Sequence, residues 1–143
     1  MKRNRTNTVY MIPLFRQTLR HDLYHIRRLY QVDMIEPELL DSLIELKESS
    51  INLLPEENEA VKDIVSTPPK SLIDADYYDA LSQKTNSQFK LIKKILKCEN
   101  ARLEIIKRMM NDGMSSNLKD KIKMIFDNQR NYLSLLNNKA VRP

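Results

Sequence analysis

A single glycine in 143 residues, Gly113, is the feature that most limits what this chain can become. Short strand-to-strand turns draw on glycine for their positive φ angles. With one glycine, no tryptophan and few β-branched runs, a sheet-rich fold is disfavoured. Apolar residues instead recur at helical spacing along most of the chain. Hydrophobic residues make up 41% and charged residues 30%, a balance that supports a packed core rather than disorder. The expectation is one all-α domain over 1–143, with five or six helices in an irregular bundle. In it, a long central helix pairs with the C-terminal helix.

Phe15, Leu19, Leu23, Ile26 and Tyr30 recur every three or four residues and predict a helix from about Pro13 to Tyr30. Residues 1–12 precede it as a basic N-terminal arm. Pro37 suits a first helical position, and Leu39, Leu40, Leu43, Ile44 and Leu46 follow as the apolar face. "LLPEENEAVKDIV" repeats the device, with Pro55 opening, acids in the first turn, and Val61, Ile64 and Val65 behind. The paired prolines of "STPPK" stop that helix, so 66–74 reads as a loop. A short helix around "DADYYDALSQ" follows, capped by Asp74 or Asp76.

The longest periodic segment runs from about Ser87 to Asp112. Phe89, Ile92, Leu96, Leu103, Ile106 and Met110 form one stripe, and Ile95, Cys98, Ile105 and Met109 form a second beside it. Two adjacent stripes mean a wide buried face, as expected of a central helix. Gly113 stands where a helix C-cap favours positive φ, and Ser115 or Ser116 can cap the next helix. There Leu118, Ile122, Ile125, Tyr132 and Leu136 keep the period, with Gln129 as one polar interruption. The short link predicts an antiparallel hairpin, and 137–143 reads as a flexible tail.

The net charge of +5 is unevenly spread: residues 1–30 carry +6, residues 31–80 carry −10, and residues 81–143 carry +9. Segments of opposite sign either complement each other inside the fold or present separate basic and acidic surfaces. Cys98 is alone, which excludes an internal disulfide and fits a reducing compartment. No apolar stretch suits a signal peptide, and none approaches the roughly 20 residues of a membrane span. A soluble intracellular protein is expected, cytoplasmic or, in a eukaryote, nuclear, with no membrane association.

Both histidines fall in "HDLYH", residues 21–25, close to the H-E-x-x-H pattern of helical zinc sites. His21 and His25 share a helix face, but a catalytic zinc site needs a third protein ligand, and no other histidine exists. Asp22 has a shorter arm than the glutamate of that pattern. Both histidines fall opposite the apolar stripe among Arg20, Arg27 and Arg28, so a plain polar face is the expected reading, with no metal. Phosphate-cradling loops need several glycines. Cys98 lies on the apolar side of its helix as a core residue rather than a nucleophile. The expectation is therefore no enzyme, no cofactor and no small-molecule substrate.

Two basic surfaces remain. One gathers Lys2, Arg3, Arg5, Arg16, Arg20, Arg27 and Arg28; the other gathers Lys90, Lys93, Lys94, Lys97, Lys107 and Arg108. Lysine-rich helix faces are commonly just solvated. As candidates for DNA or RNA contact they nominate Lys2, Arg3, Arg5, Arg20, Arg27, Arg28, Lys93, Lys94 and Lys97, because cations there would neutralise phosphates. The competing function is thus a small basic helical nucleic-acid-binding protein, a regulator or viral accessory factor.

"ENARLEIIKRMMNDG" (99–113) followed by "KDKIKMIFDNQRNYLSLL" (119–136) resembles the helical domain of GINS replication-complex subunits, with Arg102, Ile106 and Arg108 at matching positions. Upstream, "LYHIRRLYQVDMIEPELLDSLIEL" resembles that family's leading helix, its turn and the helix after it. The similarity covers about 100 residues in separate pieces. Ile105 departs from the family's usual lysine, residues 55–85 match no part of it, and its usual small β-domain has no counterpart here. The resemblance implies a non-enzymatic scaffold in DNA replication, packed into an oligomer that bridges the MCM helicase and its RecJ-like partner. It implies protein partners on a helix face containing Phe89, Ile92, Leu96, Leu103, Ile106, Met109 and Met110, part core and part subunit interface.

Overall fold

A computed structural model describes residues 2–31, 35–55, 76–77, 87–111 and 116–140, and these contain no strand. They form four α-helices: α1 (Lys2–Arg27), α2 (Pro37–Leu53), α3 (Gln88–Met110) and α4 (Ser116–Ala140). A short 3₁₀ turn, Arg28–Gln31, closes α1. The all-α expectation holds. The count differs from the five or six expected: the helices anticipated after Pro55 and around 74–83, the 66–74 loop and Gly113 fall outside the described residues, except for Asp76 and Tyr77.

Several boundaries match their local chemistry. Pro37 opens α2, with the Leu39 N–H bonded to the Glu36 carbonyl. Ser87 caps α3 by accepting from the Lys90 N–H at 3.3 Å. The start of α1 differs. Pro13 lies inside it, and residues 2–12, expected as an arm, are helical. A proline there forfeits one backbone hydrogen bond, but Ile12 and Phe15 on either side of it are buried, so packing holds the helix through the break. At the other end α4 continues to Ala140, three residues beyond the expected start of the tail.

Two apolar clusters divide the core. Ile26 of α1 and Leu29 of the 3₁₀ turn meet the start of α2 (Leu39, Leu40, Leu43), the start of α3 (Leu91, Ile92, Ile95) and the end of α4 (Tyr132, Leu136). Ile12, Phe15 and Leu19 meet Leu54 just after α2, the end of α3 (Ile105, Ile106, Met109) and the start of α4 (Ile122, Ile125). Hence α1 and α4 run one way, and α2 and α3 run the other. The most extensive helix contact is α3 with α4, as expected, followed by α1 with α2 and α2 with α4. α1 also touches α3, whereas α2 makes no close backbone approach to α3, nor α1 to α4. The helices thus stand in a ring, α1–α2–α4–α3, with α2 and α3 parallel across one diagonal. Each fully buried leucine or isoleucine in it contributes roughly 1.5–3 kcal/mol.

Candidate functional site

Between the two clusters lies a layer of polar side chains, supplied by all four helices. Asp22 follows Leu19 on the buried side of α1, Lys47 follows Leu43 on α2, Glu99 and Arg102 follow Cys98 on α3, and Gln129 follows Ile125 on α4. Asp22, Lys47 and Glu99 are 0% exposed and Arg102 is 1% exposed, so water does not reach them. Arg102 grips Asp22 in a bidentate pair, Nε to Oδ2 at 2.9 Å and a terminal nitrogen to Oδ1 at 2.7 Å. Lys47 Nζ lies 3.2 Å from Asp22 and 2.7 Å from Glu99, reaching across the diagonal. The Tyr77 hydroxyl donates to Glu99 at 2.6 Å, and the Gln129 amide donates to the Glu99 carboxylate and carbonyl at 2.9 Å each. The Tyr77 ring has both cations within 6 Å of its centre, at 5.8 Å (Lys47) and 5.7 Å (Arg102).

Two cations and two anions make the layer neutral, and the carboxylates are multiply bonded, which is the condition for tolerating buried charge. Burial alone would raise the Asp22 pKa, but Lys47 and Arg102 outweigh it and hold the carboxyl below its usual 3.8. Burial, with the neighbouring Glu99 carboxylate, pushes the Tyr77 phenol well up. Burial also lifts the Cys98 thiol to about 12, so Cys98 is the inert core residue its position in the stripe suggests.

The depressed Asp22 carboxyl has a consequence for stability. The unfolded chain takes up that proton at higher pH than the folded chain does, so stability rises with pH across the interval between the two pKa values. The contribution is whole above the unfolded value near 3.8 and is lost as pH falls from there through the folded value. Urea titrations below about pH 4 should show a falling midpoint, and Asp22→Asn should flatten that slope while lowering stability near neutrality. An equally steep slope in the variant would assign acid sensitivity to other carboxylates.

The histidine pair lies at the surface edge of this layer. The two Nε2 atoms are 3.2 Å apart, and His21 Nδ1 is 3.6 Å from Asp76. His25 corrects the expectation of two solvent-side histidines: it is buried, with its ring against Tyr24 and His21. Burial, then His21 and Arg28, lower its pKa, although Asp76 and Asp22 oppose them. Asp22, which would have stood in for the zinc-site glutamate, is committed to Arg102 and Lys47. No group of three or more His, Cys, Asp or Glu side chains suited to a metal occurs among the described residues. A surface groove of about 470 Å³ between α2 and α4 is lined by Ser42, Ser49, Asn128 and Asn131 over Leu46 and Tyr132. Glu45 is the one carboxylate of that lining, which includes no histidine or cysteine to form an acid–base pair with it.

No family model, curated protein or solved structure matches the chain. Its own geometry therefore carries the reading. Of the candidate interface residues, Ile92, Ile106 and Met109 are buried in the core, so they serve the fold itself. Phe89, Leu96, Leu103 and Met110 are half-buried, at seven-residue intervals along one edge of α3. Of the candidate nucleic-acid contacts, Lys93 and Lys97 are exposed on the outer side of α3 beside Lys90, and Lys94 is half-buried. Arg20, Arg27 and Arg28 are exposed on α1 and its 3₁₀ turn; Arg27 pairs with Glu48 at 3.4 Å, and Arg28 lies over the Tyr24 ring. The side chains of Lys2, Arg3 and Arg5 lie outside the described residues. Arg16, grouped above with the basic surface, is buried and donates to the Leu54 and Pro55 carbonyls, closing the C-terminal end of α2. No described helix is long and apolar enough to cross a membrane.

Sequence reading missed the polar layer. Its signal is present: Glu99 and Arg102 fill the gaps in the apolar stripes of α3, just as Asp22 does in α1 and Lys47 in α2. Charges at stripe positions, balanced in sign, mark a buried network.

Proposed function

We propose that this chain is a non-enzymatic helical scaffold, an intracellular interaction subunit of the GINS-like type acting in DNA replication. The supporting observation is the edge of α3, where Phe89, Leu96, Leu103 and Met110 stay half-buried after the bundle has packed, beside the exposed Lys90, Lys93 and Lys97. An apolar row at heptad spacing with charged flanks is what a helix presents to a partner helix. The polar layer fixes the four helices in one alignment, so the face is preorganised and ordering costs little on binding.

Light scattering at physiological salt, alone and after co-expression with products of neighbouring genes, tests it. A stable hetero-oligomer is expected, and Phe89→Asp with Leu103→Asp should release the partner while leaving helicity intact. A strict monomer in every combination would remove the scaffold reading. The lysine row supports a second reading, direct contact with DNA or RNA. A monomer that shifts only with nucleic acid, with affinity falling steeply as salt rises, would move the assignment there.

A further inference from the structure

The outward faces of α2 and α3 carry opposite charge on opposite sides of the bundle. Glu38, Asp41 and Glu45 are exposed along α2, and Lys90, Lys93 and Lys97 are exposed along α3. Because α2 and α3 sit on one diagonal of the ring, these faces point away from each other. Both helices run the same way, and Lys47 meets Glu99 between them, a separation of 52 residues in sequence. Glu38, Asp41 and Glu45 precede Lys90, Lys93 and Lys97 by the same 52 residues. The three acids therefore stand level with the three lysines across the width of the molecule.

We infer that this face pair is a head-to-tail docking surface for a second copy of the chain. A sideways translation, without rotation, brings the α2 acids of one copy opposite the α3 lysines of the next, all three at matching heights. Such a contact is heterologous: each copy keeps one face unused, so association continues beyond two. Exposed ion pairs contribute little singly and are screened by salt, so the assembly forms at low ionic strength and high protein concentration. The inference rests on the scaffold reading only in treating the outer side of α3 as an interface.

Sedimentation velocity on the full chain, after nuclease treatment, decides it. At about 0.01 M salt, where the screening length is roughly 30 Å, mass should grow with concentration past a dimer; at about 1 M, where it is roughly 3 Å, the chain should be monomeric. Glu38→Lys with Asp41→Lys and Glu45→Lys should be monomeric at low salt, and so should Lys90→Glu with Lys93→Glu and Lys97→Glu. An equimolar mixture of the two variants should associate again, because each then offers the face the other lacks. Lys119→Glu with Lys121→Glu and Lys123→Glu makes the same net-charge change on exposed α4 positions and should leave self-association as it was. A wild-type monomer at low salt, growth that stops at a dimer, or triple variants that associate like wild type would each overturn the inference. Those outcomes leave the co-expression test untouched, since it asks for a partner of different sequence.

Discussion

Arg102→Met should lower the free energy of unfolding by about 3–5 kcal/mol, the usual cost of removing one member of a buried ion pair. Methionine keeps much of the bulk, so little of that cost is cavity. The loss is electrostatic. Asp22 loses its bidentate partner and keeps Lys47 at 3.2 Å, but that ammonium also serves Glu99. Two carboxylates then share one cation in a layer closed off from the surface. Urea unfolding followed by circular dichroism reads the difference, and a change within about 0.5 kcal/mol would mean that the layer relaxes or admits solvent.

Glu99→Gln should cost a comparable amount by the opposite imbalance. Glu99 accepts from Lys47, Tyr77 and Gln129. A glutamine offers one acceptor oxygen and turns an NH₂ group towards donors, and each stranded buried donor costs about 1–3 kcal/mol, more for a charged one. Two cations would then face Asp22 alone. The double variant separates charge from packing. With both substitutions the layer holds one anion and one cation, Asp22 and Lys47, so its destabilisation should fall well short of the sum of the two single losses. Simple additivity would show that each side chain matters only for its own contacts.

The helical frame was legible because periodicity depends on nearest neighbours along the chain. The stripe from Phe15 to Ile26, the proline that opens α2, the start of α3 near residue 87 and the core position of Cys98 all follow from local spacing. The interior pairings did not follow, because Arg102 and Asp22 are 80 residues apart and Lys47 and Glu99 are 52 apart, with no local signature joining them. Period alone also assigns Ile92 and Phe89 to the same stripe. A small rotation of α3 about its axis buries the first and leaves the second at the edge, and only the packed neighbours fix that rotation. Pro13 escaped for a related reason: its local penalty is real, but tertiary burial on both sides exceeds it.

The polar layer also acts as a pin against slippage. Leucines and isoleucines line the bundle above and below it, and oily surfaces of that kind can slide past one another by a helical turn at modest cost. A slip of one turn, about 5.4 Å, would set Lys47 against Ile95 or Leu103 instead of Glu99 and carry Asp22 away from Arg102. Such a slip would therefore strand ions in hydrocarbon, while the native alignment pairs Asp22, Lys47, Glu99 and Arg102 with one another. The charges that make this interior costly to build also make its alternatives costlier still.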